Sequence, residues 1–255
     1  METMPNVFQF PFWRLEKEGF DLRGKWNSDY FHNSNPIVLE LGCGRGEYTV
    51  GLARRFANKN HIGVDIKGAR MHTGAAQAVA EGLENVAFLR TDIEMIASFF
   101  APGEVSEIWI TFPDPQMKKT NKRLTSARFL RLYANILADN GLVHLKTDSP
   151  FLHTYTSALV ECNGFDVEVN TTDLYSSGMA NDILEIKTHY ERQWLARGKT
   201  IKYLKFHLPH RAEPIDGDCP LMEFLERINA AAQPYAEPEI DIEHDDYRAI
   251  PRFCE

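Results

Sequence analysis

The sequence predicts an α/β fold: a Rossmann-like, doubly wound domain built around a mainly parallel sheet of seven strands. Short apolar segments alternate along the chain with longer segments of helical character. Such alternation builds parallel sheets with helices on both faces. A glycine-rich turn, Gly-Cys-Gly-Arg-Gly, follows the first of these apolar segments. Because ligands of open α/β sheets bind at the carboxyl ends of the strands, this turn also marks the expected site.

The first half of the expected sheet reads strand, helix, strand, helix, strand. Residues 37–41 (IVLEL) form a short apolar run after a proline, which is typical of a buried strand. The glycine turn then opens a helix over 47–57. Residues 61–65 (HIGVD) and 86–90 (VAFLR) are rich in residues that favour strands. The alanine-rich segment 67–83 between them favours a helix.

The second half continues the pattern. Residues 107–112 form a strand that Pro113 and Pro115 end. The helix expected over 126–137 has its apolar residues on one face, and an Asn-Gly pair separates it from a fifth strand over 142–147.

The last predicted elements follow the same logic. A helix over 151–162 ends before a glycine, and an alternating strand follows over 165–169. A helix over 181–196 then ends before another glycine, ahead of the final strand over 200–206.

We expect a single domain over 1–255, since its length and its 44% hydrophobic and 25% charged composition are those of one globular unit. Its core would span 36–212. An N-terminal extension over 1–35 carries aromatic residues that pack on the domain or on substrate. A C-terminal extension over 213–255 contains one short helix, 221–232, and an acidic tail.

A cytoplasmic protein without a bound metal is expected. No run of 18 apolar residues is present, so no transmembrane helix and no membrane partner are predicted. The N-terminus lacks the basic start and apolar core of a signal peptide. The four cysteines form no CxxC pair and the nine histidines form no ligand pattern. Nothing in the sequence points to an obligate protein partner.

The charge distribution leaves room for a nucleic-acid partner despite a net charge of -8. Seven acidic residues and two basic ones fall after residue 232, so most of the negative charge lies in the tail. The segment 116–138 carries six basic residues and no acidic one: Lys118, Lys119, Lys122, Arg123, Arg128 and Arg131. A local basic patch of this kind can bind phosphates. The alternative is a solvated basic helix face.

The glycine turn indicates a cationic cofactor. Gly42 and Gly44 let the backbone approach a ligand closely. Dinucleotide enzymes bind a pyrophosphate at such a turn, but Glu40, just before it, would repel one. A carboxylate there attracts S-adenosylmethionine, which has a sulfonium and an ammonium group and no phosphate. Asp65 ends the next strand and Asp92 follows the one after it, where acids can accept hydrogen bonds from ribose hydroxyls and from an adenine amino group.

The loop after the fourth strand is the candidate reaction site. Phe-Pro-Asp-Pro places Asp114 between two prolines, which restrict the backbone on either side of it. The loop runs directly into Lys118 and the rest of the basic segment. A simple turn that ends a strand is the alternative for this motif.

Several motifs in order resemble the bacterial tRNA (guanine-N7)-methyltransferases of the TrmB type, which have the class I S-adenosylmethionine-dependent fold. These are FPDP, the lysines after it, Asn-Lys-Arg at 121–123, Leu-Lys-Thr-Asp at 145–148 and Thr-His-Tyr-Glu at 188–191. The resemblance covers about 37–206. The chain departs from the family at Gln116 and Met117, where Trp and His are usual, and at Leu124, where a second arginine is usual.

The resemblance implies methyl transfer from S-adenosylmethionine to N7 of a guanine in tRNA, the variable-loop guanine m7G46. Asp114 would be catalytic. The cofactor would contact Glu40, Gly42, Gly44, Asp65, Asp92 and Asp114. The substrate would be held by Lys118, Arg123, Asp148, Thr188, Tyr190 and Glu191.

The chemistry agrees with that assignment. N7 of guanine has a free lone pair, so no base must remove a proton before attack. Positive charge moves onto the guanine as the methyl group transfers, and a fixed carboxylate near the base then stabilises the transition state most. Asp114, Asp148 or Glu191 could also accept hydrogen bonds from guanine N1–H and its amine.

Two other functions remain open from the sequence. One is an S-adenosylmethionine-dependent methyltransferase that acts on another nucleobase, such as adenine at N6, or on a small molecule. The other is a non-catalytic RNA-binding protein with this fold, against which the four acids Glu40, Asp65, Asp92 and Asp114 argue.

Overall fold

A single mixed sheet of eight strands organises the protein in a computed structural model, which describes residues 4–10 and 12–215 and the isolated positions 223, 225 and 226. The strands are β1 (Val7–Gln9), β2 (Ile37–Leu41), β3 (Asn60–Asp65), β4 (Val86–Arg90), β5 (Val105–Thr111), β6 (Leu137–Thr147), β7 (Val167–Thr171) and β8 (Lys202–His207). The helices are α1 (Phe12–Glu18), α2 (Glu47–Arg55), α3 (Gly68–Ala80), α4 (Ala127–Ile136), α5 (Pro150–Cys162) and α6 (His189–Ala196).

The strand order is β1-β4-β3-β2-β5-β6-β8-β7. All neighbours pair in parallel except β8, which runs antiparallel to both β6 and β7. The chain moves outward from β2 through β3 to β4, and then continues on the other side of β2 with β5 and β6. The switch point, where a ligand crevice forms in such sheets, therefore lies between β2 and β5. The mainly parallel, doubly wound fold is confirmed.

The sheet has eight strands and not the expected seven, because the N-terminal extension adds β1 beside β4. Three residues are too few for a periodic pattern to reveal a strand. Phe8, in its centre, packs edge-on against Trp26 and Tyr30 at ring-centroid distances of 5.0 and 4.9 Å. These contacts fasten the extension to the core, while Trp13 in α1 is 65% exposed.

A helix was predicted over 181–196, but only its last eight residues, α6 (His189–Ala196), are helical. The side chain of Asn181 accepts hydrogen bonds from the backbone N–H groups of Ile183 and Leu184, which forms a turn instead of a helical start. The ammonium group of Lys146 also binds the carbonyl oxygens of Leu184 and Ile186. These side chains bind backbone groups that a helix would pair internally, so the segment forms turns in place of the expected helix.

Helices cover both faces of the sheet. The larger apolar cluster includes Trp26, Phe99, Leu130 and Leu145, and a second cluster on Tyr48 and Trp109 packs beneath the segment before α6. Within the described residues, no helix has the length and apolar character needed to cross a membrane. Most of the helix predicted over 221–232 and all of the acidic tail beyond 226 lie outside the described residues.

Candidate active site

Five acidic residues meet along one edge of the sheet. Asp92, Asp65, Glu40, Asp114 and Asp148 follow or end strands β4, β3, β2, β5 and β6, and these strands are neighbours in that spatial order. All five strands are parallel, so their carboxyl ends lie at the same edge. Parallel pairing thus brings together, from positions scattered over more than 100 residues, five carboxylates at one edge of the sheet.

Glu40 is buried at the start of the glycine turn, with only 2% of its surface exposed. Its Oε2 accepts hydrogen bonds from the backbone N–H (2.8 Å) and the hydroxyl of Thr49, and its Oε1 accepts one from the hydroxyl of Thr111 (2.7 Å). The carboxylate therefore caps the N-terminus of α2, where a pyrophosphate would bind in a dinucleotide enzyme. Burial raises the pKa of Glu40 to about 7, although the threonine hydrogen bonds oppose that shift.

The glycine turn leaves space for a ligand beside Asp65. Gly44 has a φ of 53°, in the left-handed region, and a Cβ added to it would meet nothing within 4 Å. Its N–H donates to Oδ2 of Asp65 at 2.9 Å, and the N–H of Lys67 donates to Oδ1 at 2.8 Å. Asp65 thus fixes the turn with its own carboxylate and retains lone pairs for hydroxyl donors.

Two further positions border this turn. Asp92 is exposed and caps a 3₁₀ helix (Ile93–Ser98) by accepting a hydrogen bond from the N–H of Glu94 at 3.1 Å. A Cβ on Gly42 would lie 4.0 Å from the side chain of Leu124, so the basic segment passes next to the turn. Leu124 packs against the apolar core.

The Pro-Asp-Pro loop is strained at both ends. Phe112 and Gln116 have φ values of 49° and 47°, a region that residues other than glycine rarely adopt. The N–H of Phe112 donates to the carbonyl oxygen of Lys146, which ties the loop to β6. Asp114 itself is exposed at the switch point. Strained backbone that the surrounding structure holds in place is common at functional sites.

Arg123 does not lie where the sequence suggested. We expected it to bind phosphate, but it is buried, with an exposed fraction of only 4%. Its guanidinium donates to the carbonyl oxygens of Gln116 and Met117, at 3.2 and 2.8 Å. It also lies over the rings of Phe151 and Tyr155, at 4.7 and 4.6 Å. Arg123 therefore holds the loop from inside and is not accessible to a phosphate.

The other basic residues of the segment differ in their partners. Lys122 and Arg128 both pair with Glu94, at 2.6 and 2.7 Å, and Arg131 donates to the carbonyl oxygen of Pro214. The side chains of Lys118 and Lys119 are exposed and form no ion pair with any described residue. Within the described part of the basic segment, these two lysines are therefore the cations most available to a phosphate.

A buried network that the sequence did not reveal holds the segment before α6. The Lys146 ammonium contacts both carboxylate oxygens of Glu191, at 2.8 and 2.9 Å, and neither side chain is exposed. The hydroxyl of Tyr175 donates to the same carboxylate. Glu191, which we expected to hold the substrate, is therefore occupied inside the protein. Lys146 and Glu191 are 45 residues apart in the sequence, so local sequence patterns carry no signal for this ion pair.

The N-terminus of α6 lies against the N-terminus of α2, which follows the glycine turn. The N–H of His189 donates to Glu47, the first residue of α2, at 2.6 Å. Thr188 caps α6 through its hydroxyl, and the guanidinium of Arg70 lies 5.9 Å from the ring of Tyr190. The structure thus brings Thr188 and Tyr190 to the same edge as the carboxylates.

Asp148 lies at the end of β6 beside two lysines. Its Oδ2 is 3.9 Å from the ammonium of Lys199, and its carbonyl oxygen accepts a hydrogen bond from Lys202.

Among the residues that the structure describes, no three His, Cys, Asp or Glu side chains are placed to bind a metal ion together.

The chain is similar to known methyltransferases. A profile of the family described as "Putative methyltransferase" matches residues 34–204. The chain is 59% identical to a tRNA (guanine-N(7)-)-methyltransferase from Porphyromonas gingivalis, over 99% of this chain and 96% of that protein. It is 54% identical to an enzyme of the same name from Bacteroides fragilis, over 99% and 92% of the two chains.

Solved structures share the fold at low sequence identity. A 16S rRNA (adenine(1408)-N(1))-methyltransferase from Catenulisporales acidiphilia, solved with its cosubstrate S-adenosylmethionine, matches with a TM-score of 0.56 at 17% identity, over 77% of this chain and 96% of that one. The 16S rRNA methyltransferase KamB matches with a TM-score of 0.56 at 15% identity, over 79% and 95%. At these identities the likeness concerns the fold alone.

Proposed function

The chain belongs to the tRNA (guanine-N7)-methyltransferase family, and from that membership we propose how its residues carry out the reaction. The enzyme transfers a methyl group from S-adenosylmethionine to N7 of a guanine in tRNA. We propose that the target is the variable-loop guanine, m7G46, and that the enzyme acts in the cytoplasm. The observation that carries it is the row of carboxylates that ends in Asp114 at the switch point.

The glycine turn and its neighbouring acids are the proposed cofactor site. When bound, S-adenosylmethionine supplies an electrophilic methyl group on its sulfonium sulfur. Glu40 places a carboxylate at the N-terminus of α2 and so disfavours an anionic ligand there. Gly42 and Gly44 allow close approach of the ligand. Asp65 offers acceptors to ribose hydroxyls, and Asp92 offers acceptors to an adenine amino group.

Asp114 is the proposed catalytic residue. Guanine N7 needs no general base, since its lone pair is free. The residue's task is therefore electrostatic: a carboxylate held near the base stabilises the positive charge that grows on guanine. The same carboxylate can accept hydrogen bonds from both N1–H and the exocyclic amine of guanine. Adenine offers no such pair of donors on that edge. Asp114 would also border the bound cofactor.

The proposed tRNA contacts come from three elements. Lys118, with Lys119 beside it, would bind backbone phosphates next to a base exposed from the RNA. Asp148, Thr188 and Tyr190 would contact the nucleotide from the ends of β6 and α6. Glu191 supports Thr188 through its backbone N–H, which donates to the Thr188 hydroxyl, while its carboxylate is held inside the protein by Lys146.

Mass spectrometry of nucleosides from an unmodified tRNA transcript tests the proposal. After incubation with protein and S-adenosylmethionine, 7-methylguanosine is expected in the variable loop, at m7G46. A transcript with adenine at that position should remain unmethylated. Methylation of the second transcript at another guanine would overturn the assigned position, while methylated adenosine would point to the alternative nucleobase.

A further inference from the structure

Both carboxylate oxygens of Asp114 are held by one residue, Gln116. The backbone N–H of Gln116 donates to Oδ1 at 2.9 Å, and its side-chain Nε2 donates to Oδ2 at 2.9 Å. Two donors on two oxygens fix the rotation of the carboxylate as well as its position. A carboxylate has about four lone-pair directions. The two that Gln116 leaves free are therefore held in a fixed orientation at the exposed side of the loop.

Gln116 is in turn held from inside the protein. Its left-handed backbone is unfavourable for a residue with a Cβ, and such a conformation persists only where neighbouring groups stabilise it. Its carbonyl oxygen accepts hydrogen bonds from the N–H of Lys119 (3.0 Å) and from Nε of Arg123 (3.2 Å). Arg123 is itself enclosed by Phe151 and Tyr155 of α5. A continuous series of contacts thus runs from α5 to Asp114.

We propose that Gln116 is a positioning residue for Asp114. Through its amide side chain it aims the free lone pairs of the carboxylate at the guanine edge, and Arg123 fixes Gln116 from below. This inference rests on the proposed catalytic role of Asp114.

The side-chain donor can be removed without altering the backbone donor. Gln116→Met keeps the length of the side chain and loses its N–H groups. Loss of one hydrogen bond to a charged group should lower the single-turnover methylation rate about tenfold. The dissociation constants for S-adenosylmethionine and tRNA should stay within about twofold. Gln77→Met, at an exposed glutamine that donates to Glu81 on the side of α3, is the matched control and should retain the parental rate.

A second variant separates positioning from a general effect on the loop. Gln116→Gly suits the left-handed backbone and also lacks the amide. It should lose rate to the same extent as Gln116→Met, with an unchanged melting temperature. A parental rate in either variant would overturn the inference.

A double-mutant cycle tests whether Gln116 acts through Asp114. In an Asp114→Asn background, Gln116→Met should cause no further loss of rate, because the charge that it orients is already absent. Independent, multiplying losses would overturn the positioning role. If Asp114→Asn alone keeps the parental rate, the proposed function of Asp114 fails; if it loses rate while Gln116→Met does not, only the inference about Gln116 fails.

A specificity readout completes the test. A transcript with inosine in place of the target guanine keeps N7 and N1–H but lacks the exocyclic amine. The parental enzyme should prefer guanine over inosine, and Gln116→Met should reduce that preference several-fold. An unchanged preference, together with an unchanged rate, would show that Gln116 only shapes the loop.

Discussion

The ammonium group of Lys146 lies 2.8 Å from Oε1 of Glu191, and both side chains are fully excluded from solvent. The three N–H donors of Lys146 are matched by the Glu191 carboxylate and by the carbonyl oxygens of Leu184 and Ile186. The pair connects the end of β6 to the segment that places Thr188 beside the glycine turn. A buried ion pair is expensive to desolvate, so it adds little net stability. We therefore expect its main effect to be fixing the position of that segment.

Breaking this pair should be strongly destabilising. Lys146→Met leaves the Glu191 carboxylate buried without its cation, and the free energy of unfolding should fall by about 3–5 kcal/mol. Denaturant unfolding measures the change. Lys205→Met is the matched control, because Lys205 pairs with Glu168 at a partly exposed site, and exposed pairs contribute about 0–1 kcal/mol.

The double variant Lys146→Met/Glu191→Leu should recover part of the stability, since it removes both buried charges. If Lys146→Met costs no more than Lys205→Met, the buried pair does not organise the segment. A large destabilisation in the single variant without recovery in the double would assign the stability to the backbone carbonyls that Lys146 binds.

Glu40 should make stability depend on pH in a defined window. Burial raises its pKa from 4.5 to about 7, so the folded protein binds a proton more tightly than the unfolded chain. The free energy of unfolding should then fall as the pH rises from about 4.5 to about 7, by about 3 kcal/mol. In Glu40→Gln this contribution disappears. Parallel pH profiles for parent and variant would show that the carboxyl group titrates normally.

Cofactor binding should displace the Glu40 proton. A cation bound near Glu40 favours its ionised form, so binding of S-adenosylmethionine near pH 6.5 should release a proton from the parent enzyme. Calorimetry in buffers of different ionisation enthalpy measures that release. Glu40→Gln should release none; equal proton release by both proteins would place the cofactor's charge away from Glu40.

Asp65→Ala should weaken binding of S-adenosylmethionine while the fold stays intact. The variant loses acceptors for the ligand and the hydrogen bond that fixes Gly44, and loss of a charged hydrogen-bond partner costs about 1.5–3 kcal/mol. Titration calorimetry gives the affinity. Asp139→Ala, at an exposed position in β6 outside the row of carboxylates, is the control. Parental affinity in Asp65→Ala would remove Asp65 from the cofactor site.

Lys118 and Lys119 should dominate the salt dependence of tRNA binding. Removing one lysine–phosphate interaction lowers the slope of log K against log salt concentration by about 0.7–0.9. Lys118→Ala and Lys119→Ala should each show that change. Lys122→Ala should show less, because Lys122 already pairs with Glu94. Lys25→Ala, at an exposed position outside the basic segment, should leave the slope unchanged.

Parental slopes for both Lys118→Ala and Lys119→Ala would identify the segment as a solvated face. A slope reduced most by Lys122→Ala would mean that the ion pair with Glu94 opens when tRNA binds.

The row of carboxylates could be predicted because it depends only on strand order. An acid at the end of a parallel strand must lie at the carboxyl edge, whatever its other neighbours are. The strands over 37–41 and 86–90 were predicted to the residue. The fold class followed from the alternation of strands and helices, and the family and methyl transfer to tRNA followed from the resemblance carried by FPDP and the motifs after it; the comparisons confirm all three.

Contacts between side chains far apart in the chain could not be predicted from the sequence. Arg123 looks like a phosphate ligand until α5 places Phe151 and Tyr155 over it. Glu191 looks like a substrate ligand until the sheet brings Lys146 beneath it. In both cases the charge is visible in the sequence, whereas the burial that decides its role comes from packing between residues about 30 to 45 positions apart.

The decisive prediction concerns Asp114→Asn. Asp114 is exposed, so its replacement should change the free energy of unfolding by less than about 0.5 kcal/mol. The asparagine oxygen can still accept a hydrogen bond from Gln116, so the loop should keep its shape. What the variant loses is the negative charge that offsets the cation forming on guanine. Such a loss costs about 10²–10³ in rate. It should appear in the chemical step and hardly in binding, because the interaction grows as the methyl group moves.

Single-turnover methylation at saturating enzyme and cofactor, with dissociation constants for both ligands, separates the effect of Asp114→Asn on the rate from its effect on binding. Asp139→Asn serves as the matched control. A parental rate would make Asp114 a structural turn residue. Parallel losses of rate and binding would make it a docking residue and would pass the catalytic role to Asp148, because Glu191 is buried against Lys146 and cannot reach the base.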